Sequence, residues 1–150
     1  MFGEVSKSER QFSALVIFDD GEKILLLLRP DEPDVKFPNM WSFPGGGSKK
    51  GEKPHQTAFR EAYEETGLRV DFGSLKKIAV IETDDKNVYF FKAEKWTGQV
   101  DNKSIKAEHE KYKWVPYKDL ESYNMPPNNL TLIQRSKTKY LKGIRILIKR

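Results

Sequence analysis

The feature that most constrains this chain is a run of glycines followed by a segment dense in glutamates. Glu61, Glu64 and Glu65 stand at i, i+3 and i+4, so on an α-helix they share one face. Phe59 and Tyr63 fall on the opposite face, which we expect to pack against the core. Like charges at this spacing repel one another by roughly 0.2–0.5 kcal/mol per pair. A helix that keeps them together favours a compensating hard cation, Mg²⁺ or Mn²⁺.

A solvated acidic face is the ordinary alternative for neighbouring glutamates on a helix. The surrounding residues favour a site instead. Arg60 can orient the carboxylates, and Glu52 in the preceding loop can pair with Arg60 if the chain folds back. Pro54 suits the first turn of a helix, and Gly67 suits its C-cap. The glycines at 45–47 allow a backbone carbonyl to approach a metal ion or a phosphate closely.

This pattern resembles the Nudix box, Gly-x5-Glu-x7-Arg-Glu-U-x-Glu-Glu-x-Gly-U, in which U is a bulky aliphatic residue. In this chain it runs from Gly46 through Glu52 to the segment 60–68, and every position of fixed residue type matches. Ala62 is small where the pattern has a bulky residue, which bears on packing more than on chemistry. The resemblance implies an α/β fold, the Nudix-type α/β/α sandwich with a mixed sheet, as one domain over residues 1–150.

The resemblance also implies an activity. Water activated by Mg²⁺ or Mn²⁺ would cleave a pyrophosphate bond in a nucleoside triphosphate or another nucleoside diphosphate derivative. The implied metal ligands are the Gly46 carbonyl, Glu61, Glu64 and Glu65, and the implied orienting residues are Arg60 and Glu52. The predicted catalytic residues are Glu52, Arg60, Glu61, Glu64 and Glu108, and Glu108 is also a predicted metal ligand.

Glu108 is a candidate because Nudix enzymes often place one further glutamate outside the box, as a metal ligand or as a general base. It stands six positions before Trp114, in a predicted loop that leads into a strand. Glu110 is the second candidate, and a solvated loop acid is the alternative for both. We expect His55 and His109 to be surface residues rather than bases.

Periodicity and turn residues predict strands at 11–18, 23–29, 76–83, 87–96 and 112–115, helices at 54–66 and 128–137, and a helical turn at 117–120. In the first strand, Ala14, Val16 and Phe18 lie on one side and Leu15 and Ile17 on the other. Residues 30–40 are rich in proline and predict a loop. Strands that alternate with helices indicate a layered α/β domain.

The chain of 150 residues has a formal net charge of +5 and no cysteine, which excludes disulfides and thiolate metal sites. The first residues lack the apolar run of a signal peptide, and no apolar segment is long enough to cross a bilayer. We therefore expect a cytoplasmic protein with no membrane partner. Positive charge attracts phosphate-rich substrates, although a lysine-rich surface is the ordinary interpretation. Nucleic acid is a weaker candidate partner, because the basic residues are scattered and no nucleic-acid-binding motif is present.

The segment from Met125 to Asn129 resembles the apolar-Pro-Pro-x-Asn segment of the MutT-type branch of the Nudix family, whose members hydrolyse nucleoside triphosphates. By that resemblance Asn129 would pair with a purine edge, and a helix cap is the alternative. Arg29 is a candidate phosphate contact, or extends from a strand end into solvent. The aromatic residues that can stack on a base, or lie in the core, are Trp41, Phe43, Tyr89 and Phe91.

Several alternatives stay open. The substrate can be ADP-ribose, a dinucleoside polyphosphate or an RNA 5′ end, although the marks of those branches are weak or absent here. A Nudix module without catalysis that binds nucleotide or RNA is a further alternative, and the intact glutamate set argues against it. The chain can be a monomer or a homodimer, because apolar residues of the tail either pack within the chain or form a dimer contact. Those residues are Leu141, Ile144, Ile146, Leu147 and Ile148.

Overall fold

The computed structural model describes residues 11–136 and 146–149, which form ten strands and three α-helices. The strands are β1 (Phe12–Phe18), β2 (Lys23–Leu28), β3 (Trp41–Ser42), β4 (Gly45–Gly47), β5 (Arg69–Val70), β6 (Lys76–Glu82), β7 (Asn87–Ala93), β8 (Trp96–Thr97), β9 (Lys111–Pro116) and β10 (Ile146–Lys149). The helices are α1 (Pro54–Thr66), α2 (Asn102–Glu108) and α3 (Pro127–Ser136). The two main predicted helices are confirmed within one or two residues at each end.

The largest sheet has the strand order β10-β6-β7-β1-β4. Strand β1 pairs in parallel with β7 and β6 in parallel with β10, whereas β6–β7 and β1–β4 are antiparallel. A second, antiparallel sheet has the order β3-β2-β9, and β5 pairs with β8. The predicted α/β fold with a mixed sheet is therefore confirmed.

Two buried clusters lie on opposite faces of the large sheet. Ala14, Val16 and Phe18 of β1 belong to the cluster under α1 and α2, whereas Ile17 belongs to the cluster under α3. This alternation is the one predicted for the first strand, because successive side chains of a strand point to opposite faces. The helices thus cover both faces of the sheet, as in a sandwich.

The buried face of α1 differs from the prediction. Its buried residues include Ala58, Ala62 and Glu65, whereas Tyr63 is 45% exposed and lies under the Arg69 guanidinium, 4.7 Å from its ring centroid. Phe59 is only partly buried. The helix packs closely on β1 and β4, so small side chains fill the contact. The acidic and apolar faces are therefore not opposite, because one glutamate turns inward.

Several elements were not predicted, including β3, β5 and β10, and two others bear on the site. Gly45–Gly47 forms β4, antiparallel to β1, where the sequence indicated only a flexible approach to a ligand. Residues Asn102–Glu108 form α2, capped by the Asp101 carboxylate, which accepts a hydrogen bond from the Lys103 amide at 3.1 Å. Glu108 therefore ends a helix instead of lying in a loop. A short helix with one buried apolar residue, Ile105, leaves too little periodicity to be recognised.

The tail contributes one strand to the described part of the fold. The backbone of Ile146–Lys149 pairs with β6, whereas Leu141 and Ile144 lie outside the described residues. No helix within residues 11–136 is both long enough and apolar enough to cross a membrane.

The C-cap of α1 provides a test of packing. Gly67 has φ 81°, and a Cβ there would lie 2.8 Å from Asp101 Cβ. We expect Gly67→Ala to lower the free energy of unfolding by about 2–3 kcal/mol, because it combines a left-handed backbone with crowding. Gly51→Ala (φ 85°, open space) should cost only about 1 kcal/mol, and Gly47→Ala less than about 0.5 kcal/mol. Urea denaturation measures all three, and equal losses for Gly67→Ala and Gly51→Ala would contradict the crowding.

Candidate active site

Arg60 connects the acidic residues of the site. Its Nε and one terminal nitrogen donate to the two carboxylate oxygens of Glu52 at 2.6 and 2.9 Å. The same terminal nitrogen donates to the Gly47 carbonyl at 3.0 Å. The other terminal nitrogen donates to Glu61 at 2.9 Å and to Glu64 at 3.1 Å. The structure thus contains the predicted pairing with Glu52, in the bidentate geometry that favours arginine over lysine.

These contacts change the acidity of Glu52. The hydrogen bond from Arg60 holds the pKa of Glu52 at about 2, below its ordinary 4.5, against the opposing effect of burial. Hydrogen bonds from the Lys49 amide and the Thr57 hydroxyl act in the same direction. Glu52 is therefore a permanently charged anchor for the guanidinium rather than a proton-exchanging group at neutral pH.

Strand β4 lies directly against the glutamates of α1. The Gly45 amide donates to Glu65 Oε1 at 2.8 Å, and a Cβ on Gly45 would overlap the Ala14 carbonyl. A Cβ on Gly46 would lie 2.7 Å from Glu61 Oε2. The glycines are therefore required here because backbone and carboxylates approach too closely for any side chain.

Three carboxylates converge beside this strand. Burial raises the pKa of Glu65 well above its ordinary value, and the charges of Glu61 and Glu108 raise it further. Burial also raises the pKa of Glu61, whereas Arg60 opposes this shift. Glu65 is 7% exposed, so its charge is poorly solvated. Gathering these groups is costly unless a positive charge joins them.

The glutamates open onto a cavity of about 940 Å³. We call it the glutamate cavity, and it is lined by residues that include Gly46, Glu61, Glu65, Glu108, Lys106 and Arg29. A smaller cavity of about 190 Å³ adjoins it, and the two share Arg29, Lys36, Gly45, Gly46 and His109 in their walls. We call this one the asparagine cavity, and its further lining includes Phe37, Phe43, Lys86 and Asn129. Together they form a continuous cleft, with carboxylates confined to the larger part.

The predicted metal ligands are only partly brought together. Glu61, Glu65, Glu108 and Gly46 line the glutamate cavity, but Glu64 does not, and its half-exposed carboxylate binds Arg60. Within residues 11–136, no group of three or more His, Asp or Glu side chains is already arranged to hold a metal ion. The donor set suits a hard divalent cation in kind and charge, and the close approach of Gly46 leaves its backbone beside Glu61.

The predicted substrate contacts are also divided. Asn129, Phe43 and Arg29 line the asparagine cavity, and Asn129 Oδ1 accepts a hydrogen bond from the Phe43 amide at 3.0 Å. The Asn129 side chain therefore bonds across to the segment before β4. Phe43 itself is 2% exposed and packs edge-on against Phe90 at 6.3 Å between ring centroids, so little of it is available for stacking.

The other aromatic candidates lie elsewhere. Tyr89 belongs with the cluster under α1 and meets Phe12 edge-on at 5.4 Å, so it is on the sheet face opposite the asparagine cavity. Phe91 shares that face, fully buried against His55 at 4.6 Å. Trp41 packs against Tyr123. Tyr89 and Phe91 were candidates for stacking on a base, but side chains alternate along β7. The register of that strand decides which aromatic residues reach the cleft.

Several residues of the cleft were missed, among them His109, Phe37, Lys36 and Lys86. His109 is 8% exposed, so the prediction of a surface residue is wrong, and its buried Nδ1 has no hydrogen-bond partner among the described residues. Burial, with Arg29 nearby, lowers the pKa of His109 to about 4, which keeps it neutral. Phe37 lines the asparagine cavity with φ 53°, unusual for a bulky residue. An aromatic side chain in a proline-rich loop was the available signal for Phe37, whereas His109 had none.

Known proteins resemble this chain over most of its length. The Nudix domain model matches residues 7–136. The 8-oxo-dGTP diphosphatase of Escherichia coli (strain K12) is 28% identical over 129 residues, covering 85% of this chain and 95% of that protein. An RNA pyrophosphohydrolase of Bartonella clarridgeiae is 29% identical over 143 residues, covering 75% and 79%. The crystal structure of a MutT protein from Bacillus halodurans has a TM-score of 0.70 at 22% identity, covering 93% and 89%, which supports the fold.

The chain therefore belongs to the Nudix family. It is a Nudix hydrolase, an enzyme of the pyrophosphohydrolase class that acts on acid anhydrides of phosphorus.

The Arg60 contacts generate a prediction on stability and pH. Arg60→Lys should lower the free energy of unfolding at pH 7 by about 2 kcal/mol or more, because an ammonium cannot form the two parallel hydrogen bonds that the guanidinium donates to Glu52. The folded-state pKa of Glu52 is depressed, so its stabilisation is present above about 4.5 and is lost as pH falls toward about 2. The difference from wild type should therefore shrink over that range in urea denaturation.

Arg69→Lys is the matched control, because Arg69 is exposed and its guanidinium lies over the Tyr63 ring rather than between carboxylates. We expect it to change the free energy of unfolding by less than about 0.5 kcal/mol, with no dependence on pH. A pH-independent loss for Arg60→Lys would show that Glu52 is not the partner that matters.

Proposed function

We propose that this protein hydrolyses a phosphoanhydride bond in a nucleoside 5′-triphosphate or a related nucleoside diphosphate derivative, with Mg²⁺ or Mn²⁺. The observation that carries the proposal is a single cleft with three converging carboxylates at one end and Asn129 at the other. A polyphosphate requires charge neutralisation where the carboxylates lie, and a nucleoside requires an amide-bearing pocket beside it. The two cavities adjoin in that order.

The cation would be held by Glu61, Glu65, Glu108 and the Gly46 carbonyl. When bound, it supplies Lewis acidity toward phosphate oxygens and lowers the pKa of a bound water. The raised pKa values of Glu61 and Glu65 support this assignment, since a cation removes the cost of crowding their charges. Glu64 is the ligand that the geometry supports least, because its carboxylate lies with Arg60 outside the cavity lining.

Arg60 and Glu52 would act on the site without touching substrate. Arg60 binds Glu61 through one nitrogen and the Gly47 carbonyl through another, so it sets the distance between α1 and β4. Glu52 holds the guanidinium in place from the opposite side. These two residues are therefore positioning residues, in the sense that they orient the groups that meet the cation.

The substrate would be oriented by Arg29 and Asn129. Arg29 Nε donates to the Lys36 carbonyl at 2.7 Å, which anchors the guanidinium in the wall common to both cavities, where phosphates would pass. The bond from the Phe43 amide fixes the Asn129 carboxamide, and its NH₂ group can donate to an acceptor on a base edge. For Asn129, hydrogen bonding to a purine base is thus favoured over capping of a helix.

The relatives support the class of reaction. The E. coli and Bartonella proteins are named for diphosphatase and pyrophosphohydrolase activities on different nucleotide substrates, so they do not single out one substrate here. A module that only binds nucleotide has no need of clustered carboxylates that repel one another. The test is a panel of triphosphates, oxidised triphosphates, ADP-ribose, dinucleoside polyphosphates and 5′-triphosphorylated RNA with Mg²⁺, with the products identified. Failure to hydrolyse any of them would refute the proposal.

Substitution of the carboxylates separates a catalytic role from a structural one. We expect Glu65→Gln and Glu108→Gln each to lower kcat by about 10²-fold or more, because each removes a charge from the cation site. Glu65→Gln retains an acceptor for the Gly45 amide and removes repulsion, so the free energy of unfolding without metal should stay equal or rise. Glu110→Gln is the matched control at the cavity rim and should change kcat less than about threefold.

Recognition of the base is tested at Asn129. Asn129→Asp keeps an acceptor for the Phe43 amide but lacks the NH₂ donors, so we expect KM for purine nucleotides to rise about tenfold or more. Asn128→Ala, one residue earlier in the same cavity wall, should change KM by less than about threefold. Thermal unfolding of both variants monitors the fold. An unchanged KM for Asn129→Asp would leave the residue with a purely structural function.

A further inference from the structure

The asparagine cavity has an unusual charge for a pocket that would hold only a base. Arg29, Lys36 and Lys86 all line it, and no Asp or Glu of the described residues does. The adjoining glutamate cavity shares Arg29 and Lys36 with it but also contains acidic residues on several sides, whereas Lys86 lines only the asparagine cavity. A purine is uncharged and needs apolar walls with a few polar groups, not three cations.

These cations lack carboxylate partners among the described residues, although the Lys36 ammonium lies over the Phe37 ring, 5.3 Å from its centroid. Within the described residues, no ion pair joins Arg29, Lys36 or Lys86 to a carboxylate. Lys86 is half-buried, and its pKa is lowered by burial and by the charge of Lys36, whereas the charge of Asp85 opposes this shift. Crowding like charges in a poorly solvated place is unfavourable unless an anion binds there.

Both lysines are held by ordered backbone. Lys86 closes the turn between β6 and β7, where its carbonyl accepts from the Thr83 amide at 3.0 Å and its amide donates to the Thr83 hydroxyl at 3.1 Å. Lys36 is fixed through its carbonyl by Arg29, and Phe37 beside it adopts φ 53°. A bulky residue at this φ costs about 1–3 kcal/mol, which is characteristic of a segment shaped for a ligand.

The position of Lys86 indicates which part of a substrate it would meet. Lys86 lines the asparagine cavity but not the glutamate cavity, so it lies on the nucleoside side of the cleft. His109, buried and with Nδ1 unpartnered among the described residues, lines the same wall and offers a further polar atom. On the nucleoside side, the ribose hydroxyls are where a nucleotide can carry additional phosphate.

We propose that Lys86, Lys36 and Arg29 form a second anion site, which binds a phosphoryl group on the 2′ or 3′ oxygen of the substrate ribose. The preferred substrate is then a nucleoside 5′-polyphosphate that carries a ribose phosphate, as a monoester in a small nucleotide or as a diester at an RNA 5′ end. This inference rests on the proposed function, because that function places the nucleoside in the asparagine cavity.

Binding without turnover tests the site directly. Isothermal titration in EDTA compares adenosine 5′-monophosphate with adenosine 3′,5′-bisphosphate and 2′,5′-bisphosphate. We expect at least one bisphosphate to bind about tenfold more tightly or better, and Lys86→Gln or Lys36→Gln to reduce that ratio to about threefold or less. Lys106→Gln is the matched control, because Lys106 lines only the glutamate cavity, and it should leave the ratio unchanged.

Turnover then identifies the source of the phosphate. With Mg²⁺, kcat/KM is compared for a nucleoside 5′-triphosphate, the same compound with a ribose monophosphate, and a 5′-triphosphorylated dinucleotide. A gain of about tenfold for either phosphorylated compound, lost in Lys86→Gln, supports the inference and distinguishes monoester from diester. Equal Kd values for the mono- and bisphosphates would overturn the inference. So would an equal loss of affinity for both compounds in Lys86→Gln. Cleavage of none of the three alongside a retained binding ratio would instead count against the proposed function.

Discussion

The hydrogen bonds of Arg60 are the interaction on which the remainder of the site depends. One guanidinium joins the loop residue Glu52, the helix residues Glu61 and Glu64, and the Gly47 carbonyl of a strand. Without this planar donor, the acidic face of α1 would repel itself and would lose its bond to the Gly47 carbonyl of β4. Since Glu52 neutralises part of the positive charge, Arg60 orients the carboxylates and leaves the site net acidic.

The small residues around α1 determine how closely that helix approaches the sheet. Ala58 and Ala62 are fully buried, and glycines replace side chains in β4, so the helix lies close against the sheet. This proximity turns Glu65 inward to the Gly45 amide, and it excludes water from the carboxylate. Desolvation and crowding, which destabilise the charged form, are the same features that favour a bound cation.

The cleft separates charge along its length. Among the described residues, carboxylates line only the larger of the two cavities, Lys86 lines only the smaller one, and Arg29 and Lys36 stand in the wall common to both. A substrate with phosphates in the acidic part therefore needs metal ions, whereas any anion in the basic part would be bound by the protein alone. Two kinds of phosphate recognition thus follow from one fold, one through cations added from solution and one through lysine and arginine.

Local spacing was sufficient to predict helix α1, its ends and the pairing of Arg60 with Glu52, since these depend on residues close together in sequence. The same spacing failed for Tyr63, because burial is decided by what packs on the helix rather than by its own periodicity. It also failed for Tyr89 and His109, whose positions depend on the register of β7 and on the end of a short helix. Sequence spacing does not contain that information.

By itself, then, the sequence determined the chemistry of the acidic helix and the family to which the chain belongs, because those rest on residue types at fixed intervals. The tertiary structure decided that Glu108, a candidate from the sequence, lies in one cavity with Glu61 and Glu65, that Asn129 bonds to the Phe43 amide, and that Lys36 and Lys86 line the same cavity. Each of these arrangements joins segments far apart in the chain. Their distances are set by strand pairing and core packing, which act only once the whole sheet has formed.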